Sequence, residues 1–233
     1  MRGVNTYKLE MHAHTKGGSS CAQADENELA EIYARAGYGG VVLTNHCCEA
    51  SFSLYPGETH KEKLDFYFSL YEKFRVAVGK KGILPFLGSE VRAYDAEGYF
   101  SEYLLYGFDR AFFYDNPPLY TYTQKELFAL CEEAGIFMAQ SHPFRSHVKA
   151  GYYEYLHGVE AYNGHIGHEN RNAVAEAFAD GFHLKKISGT DFHEVVHIPK
   201  GGILVPETVR DDGTLKAFLF SEQAPLIRDG EIK

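Results

Sequence analysis

Tyr7-Lys8-Leu9-Glu10-Met11-His12-Ala13-His14 alternates polar and apolar residues and ends on two histidines two positions apart. A period of two predicts a β-strand, and residues two apart on a strand point to the same side. The segment is thus expected to deliver two imidazoles to one place. Gly189-Thr190-Asp191-Phe192-His193, near the other end of the chain, repeats the device with a carboxylate and an imidazole.

Outward from these two segments, short apolar runs alternate with longer runs of helical spacing. Strands are predicted at 7–14, 40–46, 83–94, 103–108, 136–142, 158–162 and 184–191. Helices are predicted at 26–36, 60–78, 124–134, 169–179 and 213–220, with Gly37, Gly79, Gly135 and Gly181 as C-terminal stops. Alternating β and α units imply a mainly parallel sheet, and about seven strands suit a closed or nearly closed barrel. With 233 residues and no linker or repeat, the chain is read as a single domain over residues 1–233. The 94–123 stretch, rich in Tyr, Phe, Asp and Pro, reads as an irregular segment that covers a site.

The ionisable residues fall where those strands end: His12 and His14, His46, Glu90 late in the third, His142, then Asp191 and His193. In a parallel barrel the C-terminal strand ends converge on one face, so these seven positions become neighbours. Imidazoles mixed with carboxylates suit Zn, Mn or Fe, whereas an all-oxygen set would suit Mg or Ca.

Composition narrows the partners. A net charge of −9 argues against a broad footprint on a long nucleic acid duplex and leaves room for a small anionic substrate in a local basic pocket. The N-terminus lacks the apolar core of a signal peptide, and no apolar run approaches a membrane span, so a cytoplasmic protein without membrane association is expected. Cys21, Cys47, Cys48 and Cys131 form no secreted-type framework and are expected to be reduced. Neither a phosphate-binding lysine loop nor a GxSxG elbow is present.

Taken in order, His12-Ala13-His14-Thr15, Leu43-Thr44-Asn45-His46, Ser141-His142-Pro143 and Gly189-Thr190-Asp191-Phe192-His193 resemble the four motifs of the PHP (polymerase and histidinol phosphatase) family. Leu87-Gly88-Ser89-Glu90 resembles the segment that supplies its bridging carboxylate, and Val159 to Gly164 a strand that often precedes the fourth motif. The resemblance implies a distorted (β/α)7 TIM-like barrel with one to three divalent transition metal ions. By analogy one ion takes His12, His14, Glu90 and Asp191, a second shares Glu90 with His142, and a third takes His46 and His193. Three positions depart from the family pattern. A histidine a few residues past the first motif is replaced near Ser20, another by Glu102 or Tyr103, and Asn45 stands where Asp is usual.

The implied activity is hydrolysis of phosphoesters by a metal-activated water, on small phosphomonoesters or on nucleotide or short oligonucleotide phosphates. A histidinol-phosphate-type phosphatase and a non-catalytic metal-binding domain are the alternatives. Turnover is expected to depend on Asp191, His193 and Arg145. Arg145 is the candidate phosphate clamp, against a solvent-facing loop residue, and Lys16 and Lys149 are weaker candidates for that role. His165, His168 and His197 lie near the same face as surrounding residues, Cys47 is a possible substitute ligand or inert packing, and the aromatic stripe from Tyr99 to Tyr122 offers base stacking or packing.

Overall fold

The computed structural model describes residues 5–95 and 97–232. The chain runs β1 (Thr6–Ala13), α1 (Glu26–Arg35), β2 (Tyr38–Leu43), β3 (His46–Cys47), α2 (Glu49–Leu54), α3 (His60–Gly79), β4 (Leu84–Tyr94), β5 (Phe100–Tyr106) and α4 (Ala111–Tyr114). It continues with α5 (Gln124–Ala134), β6 (Phe137–Gln140), β7 (Gly158–Asn163), α6 (Asn172–Phe182), β8 (Lys185–Gly189), β9 (Gly202–Pro206), α7 (Asp212–Ser221), β10 (Leu226–Arg228) and β11 (Glu231–Ile232). Helix starts follow local chemistry. Asp25, Thr59 and Thr123 each cap a first turn and receive a glutamate from three residues on, so two otherwise orphaned N–H groups are satisfied at each start. Gly135 ends α5 in the left-handed conformation as expected, whereas Gly181 lies inside α6, which His183 terminates at φ 56°.

The strands form a mixed α/β sheet in the order β11-β10-β9-β1-β2-β4-β5-β6-β7-β8, with β3 paired to β4. Two parallel blocks, β1-β2-β4 and β6-β7-β8, flank the antiparallel β5, and β9 to β11 are antiparallel as well. This corrects the expectation of a mainly parallel (β/α)7 ring, because the ladder is an open, curled path. The reason lies at β1. Its outer edge pairs with β9 from Thr6↔Pro206 to Leu9↔Ile203, so β8 meets β1 only beyond that contact. There Phe192 N–H donates to His12 O at 3.2 Å and His14 N–H to Phe192 O at 2.9 Å, which brings the first and last ionisable segments side by side.

β9 escapes sequence reading because Gly201-Gly202 and Pro206 punctuate it like a loop. Close approach requires the glycines: a Cβ on Gly201 would stand 2.0 Å from the carbonyl carbon of Gly189, and Gly202 sits at φ 131° against Leu9 O.

One irregularity sets up the site. Leu9 and Met11 pack in the cluster of Val42, Phe86, Leu104, Tyr106 and Ile187, while Glu10 reaches Tyr33 of α1. Register slips between Glu10↔Val41 and Ala13↔Leu43, with Met11 and His12 opposing Val42 alone. After this bulge Ala13 joins the other core cluster, with Tyr33 and Phe68, and His12 and His14 point the other way. Much of the aromatic stripe is packing, although Tyr99 at its start is exposed. Phe113 lies against Phe68, Phe108 and Tyr67, and Tyr120 against Phe52.

Candidate metal centre

All seven expected positions meet, six at or just beyond strand ends and Glu90 from within β4. His12 Nε2 stands 3.4 Å from Glu90 Oε1 and 3.4 Å from Asp191 Oδ1, and His14 Nε2 stands 3.4 Å from Glu90 Oε2 and 3.3 Å from the same Asp191 oxygen. Tetrahedral ligands about 2.0–2.1 Å from a zinc-like ion are separated by about 3.3–3.4 Å, close to the distances from the Asp191 oxygen to His12 and His14, and these three donors come together as one group while Glu90 groups with His12 and His142. Among the described residues His12 Nε2 and His14 Nε2 are buried without a hydrogen-bond partner, a costly state for polar atoms that a cation would relieve. The residues present therefore fit a metal.

Glu90 is the hub. His142 Nε2 lies 3.1 Å from its Oε1 and His46 Nδ1 lies 2.8 Å from its Oε2, while the Ser141 hydroxyl donates to Oε1 at 2.7 Å. Burial opposes charge on Glu90 and on Asp191, yet His12 and His46 beside the first, and His12, Arg145 and His193 beside the second, hold both carboxyls well below their usual range. Burial likewise opposes charge on His12, but Glu160, Asp191 and Glu90 outweigh it and raise the imidazole, whereas burial together with His193 and His46 lowers His14.

Four residues that sequence reading missed or left open complete the site. Glu160, fully buried on β7, accepts from His12 Nδ1 at 2.9 Å, from His142 N at 3.0 Å and from Asn163 Nδ2 at 2.8 Å. The sequence marked it only as part of the Val159 to Gly164 strand, a glutamate between apolar neighbours, without a role. Of Glu102 and Tyr103, it is Glu102 that faces the cluster, 3.7 Å from His142 Nε2 and 3.9 Å from His46 Nδ1, and Arg92 holds it at 2.8 Å. Cys21 stands where Ser20 marked a gap, its Sγ 3.5 Å from His46 Nε2. Burial pushes its thiol up, but hydrogen bonds to His193 and His46 prevail and bring it down to about 6.

Arg145 is no loop ornament. It donates to Asp191 Oδ2 at 2.6 Å, Asn163 Oδ1 at 3.0 Å and Asn170 Oδ1 at 2.9 Å, so half of the expected fork is committed to holding the aspartate. Arg145 and Arg92 line a cavity of about 310 Å³ with Cys21, His46, Glu102, His142, His165, His168, Asp191, His193 and Glu194. His197 accepts from His193 N at 3.1 Å. Lys16 is exposed and is absent from that lining, and Lys149 is paired with Asp95 away from it. Cys47 is packed among core residues beside Val91, on the bland side of its two readings. A larger hollow of about 860 Å³, lined by Arg110, Asp115, Asp211 and Lys216 among others, contains none of the expected site residues. All four cysteines are free, and no helix among the described residues is long and apolar enough to cross a membrane.

Because a carboxylate on the outer nitrogen of a ligating histidine fixes its orientation and basicity, Glu160→Gln should weaken divalent-ion affinity about 10- to 100-fold. Competition with a chromophoric chelator measures this, and wild-type affinity in a folded variant would show that Glu160 is not needed to hold His12.

No family model matches the chain, and no curated protein matches it. Solved structures do. A two-domain protein containing a predicted PHP-like metal-dependent phosphoesterase from Bacteroides vulgatus ATCC 8482 is 19% identical with a TM-score of 0.68, over 98% of this chain and 66% of that one. PsfC from Pseudomonas syringae PB-5123 is 16% identical with a TM-score of 0.69, over 96% and 92%. The lesion-specific endonuclease PfuEndoQ from Pyrococcus furiosus is 12% identical with a TM-score of 0.62, over 95% and 58%. The chain thus spans about two thirds of the first protein. At these identities the likeness shows the fold alone, shared with the protein that contains the predicted PHP-like phosphoesterase.

Proposed function

We propose that residues 1–233 act as one PHP-like domain that hydrolyses phosphoesters with divalent transition metal, and that the open sheet is a distorted relative of the (β/α)7 barrel. The observation that supports this most is the group of His12, His14 and Asp191 donors at ligand spacing, with Glu90 3.4 Å from each imidazole and both Nε2 atoms buried without a hydrogen-bond partner among the described residues. His12, His14, Glu90 and Asp191 would hold one ion, Glu90, Glu102 and His142 a second, and His46 with His193 a third; the mixed nitrogen and oxygen donors suit Zn, Mn or Fe. Such ions, when bound, acidify water and neutralise phosphoryl oxygens.

The protein's own groups do the positioning. Glu160 holds the His12 ring and the His142 backbone, Ser19 Oγ bonds both His14 Nδ1 at 2.8 Å and His46 N at 3.2 Å, and Arg145 locks Asp191. Among the described residues Arg145 Nη1 makes no hydrogen bond to protein, which leaves it free to take a phosphate oxygen from the cavity. The cavity volume lies at the lower end of small-ligand sites, in keeping with a phosphomonoester or a nucleotide phosphate.

A phosphoester panel that includes histidinol phosphate, assayed with Mn²⁺ and with Zn²⁺, tests the reading. Phosphate release that chelator abolishes and metal restores is expected. Absence of turnover by metal-loaded protein on every substrate would favour the non-catalytic alternative. Arg145→Ala should lower kcat/KM about 10- to 100-fold on the best substrate, as expected for losing hydrogen bonds to charged oxygens. Because Arg145 also restrains Asp191, some loss of metal affinity should accompany it, and unchanged kinetics would remove Arg145 from phosphate binding.

A further inference from the structure

We infer that two turns at the mouth of the cavity, one carrying Ile166 and the other Val195, Val196 and Ile198, bind the organic half of the substrate, and that this half is apolar, an alkyl or aryl group rather than a sugar. This rests on the phosphoesterase reading above and names the substrate class of that site.

Both turns are fixed to the cavity by their neighbours. His197 N–H donates to Glu194 O at 2.8 Å, which closes a turn with Val195 and Val196 at its corners. His193 and Glu194, just before those corners, line the cavity, and the bond from His193 N–H to His197 Nδ1 ties the far end of the turn back to it. On the other turn His165 and His168 line the same cavity with Ile166 between them, and Gly167 N–H donates to His165 Nδ1 at 3.0 Å. The two turns are neighbours, since the rings of His165 and His197 have centroids 4.5 Å apart.

What these turns carry is at odds with their local chemistry. Turn corners favour Gly, Pro, Asn, Asp and Ser, for backbone reasons and for contact with water. Here β-branched aliphatic side chains stand in solvent, 54% exposed at Val195, 62% at Val196, 58% at Ile166 and 69% at Ile198. Among the described residues eight large aliphatic side chains are exposed, and four of them gather on these two turns, so they form a patch rather than a scatter. Continuity with the cavity identifies what covers it. The expected metal ligands His12, His14, Glu90 and Asp191 are buried, so an ester whose phosphoryl group reaches them directs its organic half toward the mouth, where these side chains stand. They present methyl groups and no hydrogen-bonding atom, so they gain from contact with apolar surface and offer nothing to the hydroxyls of a sugar.

Alkylphosphonates test the assignment, because their carbon–phosphorus bond resists hydrolysis while the phosphonate stands in for the phosphate. Titrated by calorimetry into the Zn²⁺-loaded full chain, methyl-, propyl- and hexylphosphonate should bind with a Kd that falls about two- to fourfold per methylene. The double variant Val195→Asn with Val196→Asn, whose new residues suit turn corners, should flatten that dependence and keep the wild-type affinity for methylphosphonate. Ile166→Asn should flatten it from the other turn. A wild-type Kd that does not change with chain length, with methylphosphonate bound, would overturn the inference and leave the phosphoesterase reading standing. So would a length dependence that survives in both variants, including the case where the variants instead split a wild-type dimer in sedimentation. Binding of none of the three phosphonates by the metal-loaded wild type would overturn the phosphate site and this inference together.

Discussion

Asp191→Asn should lower kcat at least about a hundredfold while the far-ultraviolet circular dichroism stays that of the wild type. The aspartate serves two masters. Its Oδ1 faces the Nε2 atoms of His12 and His14, and its Oδ2 takes the Arg145 hydrogen bond and lies 3.4 Å from Asn163 Nδ2. An asparagine offers one oxygen and one NH₂ group, so either the cluster or Arg145 must face a donor where an acceptor stood. The variant also removes the charge that helps to hold a cation. The backbone tolerates the exchange, because residue 191 sits at φ 55°, a left-handed conformation that asparagine adopts as readily as aspartate. Elemental analysis belongs beside the assay. Wild-type turnover with wild-type metal content would take Asp191 out of the site and undermine the whole assignment.

Glu10→Ala should reduce the unfolding free energy by about 3–5 kcal/mol, read as a lower urea midpoint at unchanged slope. Its side chain is fully buried and collects five donors: Met11 N at 3.0 Å, His12 N at 2.9 Å and Thr190 N at 2.8 Å on Oε1, with Tyr33 OH at 2.8 Å and Thr190 Oγ1 at 2.5 Å on Oε2. Alanine leaves these donors without partners in a dry interior, at about 1–3 kcal/mol each before relaxation, and neighbouring losses do not simply add. This network spans β1, α1 and the segment after β8, and it fixes the bulge that turns His12 inward. Metal affinity should therefore fall along with stability. Glu10→Gln, which keeps the shape and part of the acceptor capacity, should lose less. A Glu10→Ala midpoint indistinguishable from wild type would show that the bulge is held by other contacts.

How much of this was written in the sequence depends on how each residue reaches the site. His12, His14, His46, His142, Asp191 and His193 lie at or just beyond strand ends, and strand ends of parallel units converge by geometry alone, so alternation and order were enough for them, whereas Glu90 sits within β4 and was placed by its late position in that strand. Glu102 was harder to read. Setting its strand at 103–108 left it outside, whereas β5 spans Phe100–Tyr106 and pairs antiparallel to β4 with Arg92 opposite Glu102. Cys21 arrives on a loop whose path depends on backbone bonds to Ala24 and His193, for which residue types give no signal. The open sheet was illegible for a similar reason, since the glycines that let β9 approach β1 are the same residues that make it read as a loop.

Glu90, one carboxylate within reach of four imidazoles, makes the cluster a shared account rather than a set of separate pockets. If the proposed ions bind on both sides of it, they do not bind independently: where occupancy of the Asp191 side alters affinity on the Glu102 side by some factor, the reverse holds by the same factor. Metal titrations of this protein should therefore be fitted as a coupled system, and a substitution at Glu90 should collapse both binding steps at once rather than delete one.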